Sequence, residues 1–301
     1  MNILLFFVDG LGIGCADPNV NPCAQDGLKC LGCYRDGDNV TRSDPESELI
    51  AVDATLGVPG LPQSATGQVA LLTGQNAARI LGRHLYGFPN QLLRDLLKSH
   101  SILKRVKAAG LTCDFLNTFR PPFFDMPETT QWRLSATTGA TLAAGLDFHP
   151  PEHIAESRSI YHDLTGEFLR EKGFDVPILT PEKAGRIAAR QSRLHNLLLF
   201  EYFLTDRAGH KQDMNQARLE IRKLDAFIES ILCELDLRKT LLVMTSDHGN
   251  IEDLSTKSHT RNPAMTIAWG KKKSDFARDV QTLTNVTPAL LNLLGINDRT
   301  A

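Results

Sequence analysis

Asp9 closes the apolar run in NILLFFVDG, Asp206 follows LLLFEYFLT, and Asp247 follows TLLVMTS. Each run has the length and composition of a buried strand, so each delivers a carboxylate where a strand ends. Histidines accompany them: His210 comes four residues after Asp206, His248 adjoins Asp247, and His259 lies eleven residues beyond His248. Carboxylate and imidazole ligands suit zinc, manganese and similar divalent ions. Two such ions about 3.5–4 Å apart clamp the attacking and leaving oxygens of an in-line phosphoryl displacement. A lone Asp after a strand usually serves a turn or a helix cap. Three of them, two with histidines close by, point instead to a two-metal active site.

Such a site needs a nucleophile, and LPQSATGQVALLTG supplies a candidate in Ser64. Pro62 halts the preceding structure, Ser64 sits in the turn, and a short helix is expected from Gly67 to Gly74. A helix N-terminus offers free N–H groups and the positive end of the dipole, which favour both alkoxide and phosphate. Metal coordination would lower the hydroxyl pKa further. Ser64 could instead only cap the helix, but beside six metal-ligand types the nucleophile is the better reading.

The elements that must position these groups follow from pattern. Strand-length apolar runs recur at residues 3–8, 112–117, 196–204, 240–245 and 264–268, with helical patterns between them. Alternation of this kind gives an α/β fold with a mostly parallel central sheet flanked by helices on both faces. Ligands of parallel sheets bind outside the carboxyl ends of the strands, where Asp9, Asp206 and Asp247 fall. The clearest helix spans 213–236, with Asp213 as cap and Met214, Ala217, Ile221, Leu224, Ile228, Ile231 and Leu235 on one stripe. Another is expected over 288–294, with Thr287 as N-cap, Pro288 in the first turn and Gly295 as the stop. A third covers 101–109 and feeds the strand LTCDFLN.

Residues 15–48, rich in Asp, Asn, Gly, Pro and Cys, read as an ordered lobe outside the core. Four of the six cysteines lie there, including the Cys-x-x-Cys pair Cys30 and Cys33. A zinc, iron–sulfur or redox site would use such a pair, but the spacings from Cys15 and Cys23 match no standard ligand pattern, which favours reduced thiols. The expected organisation is one core over 1–301, with 119–194 as a small cap or a peripheral helical insertion and helical segments expected near 136–145, 152–172 and 182–193.

The chain has 301 residues and a formal net charge of -2, giving no field to hold a polyanion, so nucleic acid and anionic membrane are not expected partners. No run reaches the ~18 apolar residues of a membrane span. LLFFV lacks the basic flank and length of a signal sequence, and the chain reads as cytoplasmic.

Asp9, Ser64, Asp206-x-x-x-His210, Asp247-His248-Gly-Asn and His259 together resemble the alkaline phosphatase superfamily. The closest match is its metalloenzyme branch, with cofactor-independent phosphoglycerate mutase and phosphopentomutase. Ser246 to Asn250, followed by His259, Thr260, Asn262 and Pro263, is the most specific part. The resemblance covers roughly residues 1–118 and 195–301. It implies an alkaline-phosphatase-like fold and two divalent ions, manganese or zinc. One ion would take Asp9, Ser64, Asp247 and His248; the other would take Asp206, His210 and His259. It also implies a covalent phosphoserine at Ser64, returned to another hydroxyl by mutases and passed to water by hydrolases. The mutases' large cap has no counterpart here, since at most about seventy residues are free to form one. SATGQVALLTG also resembles the sulfatase signature, but Thr66 and Gln68 stand where that signature needs Pro and Arg.

The expected function is two-metal phosphoryl transfer from Ser64, hydrolysing a small phosphate mono- or diester. A phosphomutase and a non-catalytic metal-binding protein are the alternatives. Phosphate contacts are sought among Arg79, Arg83, His84 and Arg120, while Arg207 and Lys211 flank ligands and screen the acidic cluster. His100, His149, His153, His162 and His195 have no ligand-like spacing and read as structural.

Overall fold

A computed structural model describes residues 1–37 and 39–296. Its strands are β1 (Asn2–Val8), β2 (Tyr34–Asp36), β3 (Asn39–Thr41), β4 (Glu48–Val52), β5 (Cys113–Phe115), β6 (Leu197–Tyr202), β7 (Thr240–Ser246) and β8 (Ala264–Gly270). Six of them form one sheet in the order β4-β8-β7-β1-β6-β5, and β2 pairs with β3 in a separate hairpin. β1 pairs in parallel with both β6 and β7, β5 pairs in parallel with β6, and β8 runs antiparallel to both β7 and β4. The mostly parallel sheet matches expectation. The short edge strand β4 had no strand signal in the sequence, because ELIAV carries a charge and buries only part of itself.

β1 shows why the central strands read as unbroken apolar runs. Leu4, Phe6 and Val8 pack into one buried cluster, while Ile3, Leu5 and Phe7 pack into another on the opposite face. Burial on both faces removes the alternation seen in half-exposed strands. The first face is covered by the helices Pro181–Ser192 and Met214–Glu234, which supply Ile187, Ile221, Leu224 and Phe227. Gly185 lets these two helices close together, since a Cβ there would lie 2.5 Å from the Phe227 carbonyl oxygen. The second face is covered by Ser64–Thr73, Gln91–His100, Ile102–Ala108, Ala136–Ala144 and Leu283–Leu293.

The long helix begins after Asp213, whose Oδ1 accepts from the Asn215 and Gln216 amides, as expected. Three expectations need correction. The last helix starts at Leu283, so Pro288 lies inside it and Thr287 is no cap. Instead the Asn285 side chain accepts the Gln281 and Thr282 amides at the helix start, and the Thr287 hydroxyl donates to the Leu71 carbonyl. The helical stretch near 152–172 is two short pieces, Glu152–Ala155 and Glu167–Glu171. Finally, residues 15–48 do reach the core: Cys23, Cys30, Leu31 and Cys33 are buried in the first cluster. Asp225 holds that loop by accepting the amides of Lys29, Cys30 and Leu31, so its buried backbone donors are satisfied.

Candidate active site

The register of the sheet brings the site together. Val8 pairs with Tyr202 on one side and with Ser246 on the other, so β1, β6 and β7 end at one level. Asp9 and Asp247 are the next residues on their strands. Asp206 falls in the first turn of the helix Leu204–Lys211, which follows β6, and His210 falls in its last turn. At Gly10, φ is +70° and a Cβ would lie 2.9 Å from Asp206, so the chain after Asp9 passes against that residue only because glycine is there.

Two groups of side chains converge on this edge. Asp9, Asp247 and His248 form one, and Asp206, His248 and His259 form the other; each could hold a metal ion. His248 Nε2 is 3.2 Å from Asp9 Oδ1 and 3.5 Å from Asp247 Oδ2. His259 Nε2 is 3.4 Å from Asp206 Oδ1 and 3.2 Å from His210 Nε2, and His210 Nε2 is 3.4 Å from Asp206 Oδ2. Among the described residues the candidate metal groups contain no cysteine, and all six cysteines are free thiols.

Three observations test whether these groups fit a metal. Asp9 Oδ1 and Asp247 Oδ2 are buried without a hydrogen-bond partner, which is costly unless something else meets them. His210 Nδ1 faces the Lys257 carbonyl at 2.8 Å and His259 Nδ1 faces the Pro62 carbonyl at 2.8 Å. A carbonyl partner fixes the proton on Nδ1, so both Nε2 lone pairs point into the same space, the usual preparation of a metal-ligating imidazole. Third, burial and the neighbouring Asp247 raise Asp9 to about 7, and burial raises Asp247 to about 6. A cation between them would offset that penalty. The residues fit divalent ions.

The imidazole and the third carboxylate respond to the same field. Burial opposes a charge on His248, but Asp247, Asp9 and Asp206 outweigh it and raise its pKa to about 10. Burial also opposes ionised Asp206, but the His259 imidazole beside it, the charge of His248 and the Asn250 amide bring it down to about 2.

Ser64 is the first residue of the helix Ser64–Thr73, with Gln63 as the preceding cap position. The helix thus starts earlier than expected from Gly67, and no side chain caps its start. Ser64 Oγ lies 3.0 Å from His248 Nε2. The helix backs directly on β7: a Cβ at Gly67 would be 2.9 Å from the Asp247 carbonyl oxygen. Gln68, one turn on, donates its amide to Asp9 Oδ2 at 3.0 Å.

Side chains to which the sequence assigns no role of their own surround the candidate ligands. Glu252, fully buried, accepts the amides of Gly12 and Asn250 through Oε2 and the side chains of Thr260 and Asn262 through Oε1. It thereby joins the two halves of the Ser246–Asn250 and His259–Pro263 motif. Asn250 Nδ2 donates to Asp206 Oδ1 at 2.6 Å. Glu201, on β6, accepts from the Thr137 hydroxyl, and burial raises it to about 7. The signal for Glu201 was present: a carboxylate within the apolar run LLLFEY, five residues before Asp206.

A cavity of about 500 Å³ opens beside Asp9, Ser64 and Asp206. Of the expected phosphate contacts Arg120 lines it, as does Arg207, while Arg79, Arg83 and His84 do not. Arg79 and Arg83 are exposed, and His84 Nε2 is engaged with the Val58 carbonyl at 3.2 Å. His162, expected to be structural, lies on the cavity wall, and burial lowers it to about 3, so its ring is neutral. His149 meets the expectation: it bridges Asp114 at 2.9 Å and His153 at 2.8 Å, among residues that do not line the cavity.

Carboxylates and imidazoles at the carboxyl edge of a mostly parallel sheet, beside a serine at a helix N-terminus, define an alkaline-phosphatase-like fold with a metalloenzyme ligand set. The comparisons agree. Residues 183–298 match the model of the Metalloenzyme superfamily. A segment of 119 residues is 29% identical to the 2,3-bisphosphoglycerate-independent phosphoglycerate mutase of Antithamnion sp., covering 37% of this chain and 23% of that protein. The match therefore spans under a quarter of the relative's length. Among solved structures, the PH0037 protein from Pyrococcus horikoshii superposes with a TM-score of 0.60 at 13% identity, covering 100% of this chain and 98% of that one. Alkaline phosphatase from the Antarctic bacterium TAB5 gives 0.56 at 13% identity, covering 99% of each chain. The chain resembles an alkaline-phosphatase-superfamily metalloenzyme with the core of the cofactor-independent phosphoglycerate mutases.

Proposed function

We propose that this protein is a metal-dependent phosphoryl-transfer enzyme that uses Ser64 as nucleophile and hydrolyses a phosphate mono- or diester. The observation that carries this reading is the placement of Ser64 Oγ 3.0 Å from His248 Nε2, at an uncapped helix start and beside two converging ligand groups. In this reading Asp9, Ser64, Asp247 and His248 hold one divalent ion and Asp206, His210 and His259 hold a second, manganese or zinc. Bound there, such ions would lower the serine hydroxyl pKa and neutralise phosphate oxygens.

The chain's own residues do the rest. No side chain caps the start of the helix Ser64–Thr73, and the positive end of its dipole favours the developing alkoxide and the phosphate oxygens. Gln68 orients Asp9, Asn250 orients Asp206, and the Lys257 and Pro62 carbonyls fix the ring orientations of His210 and His259. Ser64 Oγ forms the new bond to phosphorus as the bond to the leaving oxygen breaks, and water then displaces Ser64. Arg120 and Arg207 are positioned at the cavity to pair with non-reacting phosphate oxygens.

Hydrolysis is favoured over mutase action by water access. The His210 side chain is 42% exposed and Ser64 is only partly buried, whereas a phosphoryl group kept for return must be shielded. The mutase relatives supply the second reading. Residues 119–194 are read as a partial wall: Phe119, Phe123 and His162 from this segment line the cavity, while Pro181–Ser192 packs on the sheet. Among the described residues no helix is long and apolar enough to cross a membrane.

The test is a time course with manganese- or zinc-loaded protein on phosphate mono- and diesters, following free phosphate and isomerised product. Ser64→Ala should lower phosphate release by a factor on the order of 10³. Isomer without free phosphate would establish the mutase instead, and full activity of Ser64→Ala would replace the serine with direct attack by water.

A further inference from the structure

The cavity beside Ser64 is lined by two unlike sets of residues. One carries Asp9, Ser64, Gln68, Glu201 and Asp206. The other is built from Phe115, Phe119, Phe123, Met126, Leu134 and Phe203. The rings are fixed against one another: Phe119 and Phe123 have centroids 4.3 Å apart, and Phe148 behind them packs edge-on at 4.8 and 4.6 Å. His162, neutral and partly buried, packs on Tyr161 and Phe203 with ring centroids 4.1 and 4.3 Å away and extends this ring surface. Phe88, which also lines the cavity, is 64% exposed, so its ring is accessible from solvent.

These features restrict the ester. A volume of about 500 Å³ falls in the range of pockets that take whole organic ligands, about 300–1,000 Å³, and exceeds what a phosphate with a two- or three-carbon alcohol fills. A short polyanionic alcohol would leave the rings facing water and would have only Arg120 and Arg207 as cations on the lining. A flat ring stacks on phenyl groups with offset or edge-on geometry, and it gains both burial and quadrupole attraction there. Resting on the phosphoryl-transfer reading of the same site, we infer that the substrate is a phosphate ester whose alcohol carries an aromatic ring, seated on the Phe88, Phe119 and Phe123 wall with its phosphate at Ser64. An aryl group and a nucleobase share this chemistry.

Binding and turnover test the ring and the reaction separately. With manganese-loaded protein, titration calorimetry compares phenylphosphonate with methylphosphonate, neither of which can be cleaved at a phosphate ester bond. Phenylphosphonate should bind at least ten-fold more tightly. Phe88→Ala, a change at an exposed residue that the fold does not need, and Phe123→Leu, which keeps most of the packing, should each bring that ratio toward one. Equal binding of the two phosphonates, no binding of either, or a preference that survives both substitutions would overturn the aromatic substrate class. In parallel, phosphate release is measured from phenyl phosphate, a nucleoside monophosphate and methyl phosphate in wild type and Ser64→Ala. Ser64-dependent release with equal kcat/KM on all three removes the aromatic class and keeps the phosphoryl-transfer reading. Ring-selective binding without Ser64-dependent release keeps the pocket and removes the reaction.

Discussion

At the scale of single residues, the site depends on pairs that fix one another. His259 is buried and donates to Pro62, whereas His210 is partly exposed and donates to Lys257, yet their Nε2 atoms lie 3.2 Å apart. His259→Ala and His210→Ala should each lower bound metal by about one equivalent per chain, read by elemental analysis after dialysis. His259→Ala should also lower the melting temperature more, because it frees the buried Pro62 carbonyl. Glu201 gives a test in pH. Its folded pKa is raised by burial from 4.5 to about 7, so its contribution to stability is present below the unfolded value and is lost as pH rises through about 7. Chelator-treated wild type should therefore lose melting temperature between pH 5 and pH 8 relative to Glu201→Gln. The gap corresponds to a limit on the order of 3 kcal/mol. Parallel curves for the two proteins would mean that Glu201 is not held protonated by its surroundings. Glu201 escaped the sequence reading because a carboxylate inside an apolar run looks like an edge or a flaw until the strand's neighbours are known.

At the scale of elements, the proposed reaction depends most on the placement of the helix Ser64–Thr73. That helix packs against the backbone of Asp247, which Gly67 admits at 2.9 Å from where a Cβ would stand. Gly67→Ala should push the helix from β7, moving Ser64 away from His248. Phosphate release should fall by roughly 100-fold, as expected for a displacement near 1 Å, while overpacking costs about 1–3 kcal/mol of stability. If Gly67→Ala reacts as wild type, the helix position is not what aligns the serine. The expected start at Gly67 came from reading that glycine as a helix boundary. Contact with Asp247, invisible along the chain, is the reason for a glycine inside the first turns. Similarly, Pro288 looked like a first-turn proline, but the helix Leu283–Leu293 extends ahead of it because Asn285 satisfies the preceding amides.

At the scale of the molecule, the three central strands end in carboxylates that the fold forces together. Asp9, Asp206 and Asp247 crowd one edge, and two of them are raised by burial. Divalent ions that bind this folded arrangement and not the open chain must stabilise it. Manganese or zinc at 100 times its dissociation constant should add about 2.7 kcal/mol. That predicts a rise of roughly 5 °C in the melting temperature, reversed by a chelator and smaller in His259→Ala. A melting temperature indifferent to both ions would contradict the fit of this edge to metals. The ring wall of the cavity also belongs to this scale, since Phe88, Phe119 and Phe203 come from separate segments of the chain.

The chain's sequence determined the strands that end in ligands and the types of those ligands. Both are written locally, in apolar runs of strand length and in residues whose chemistry admits few other uses at such spacing. It also determined the long helix after Asp213, whose cap and stripe lie within one stretch. Tertiary structure decided the level at which β1, β6 and β7 end, because register depends on neighbours distant in the chain. It decided that Arg120 and Arg207 reach the cavity while Arg79 and Arg83 remain in solvent, since a surface arginine carries no local mark of its direction. It also decided that Glu252 and Asn250 support the candidate ligands, because a supporting side chain is defined by what it touches, and those contacts arise only when the strands assemble.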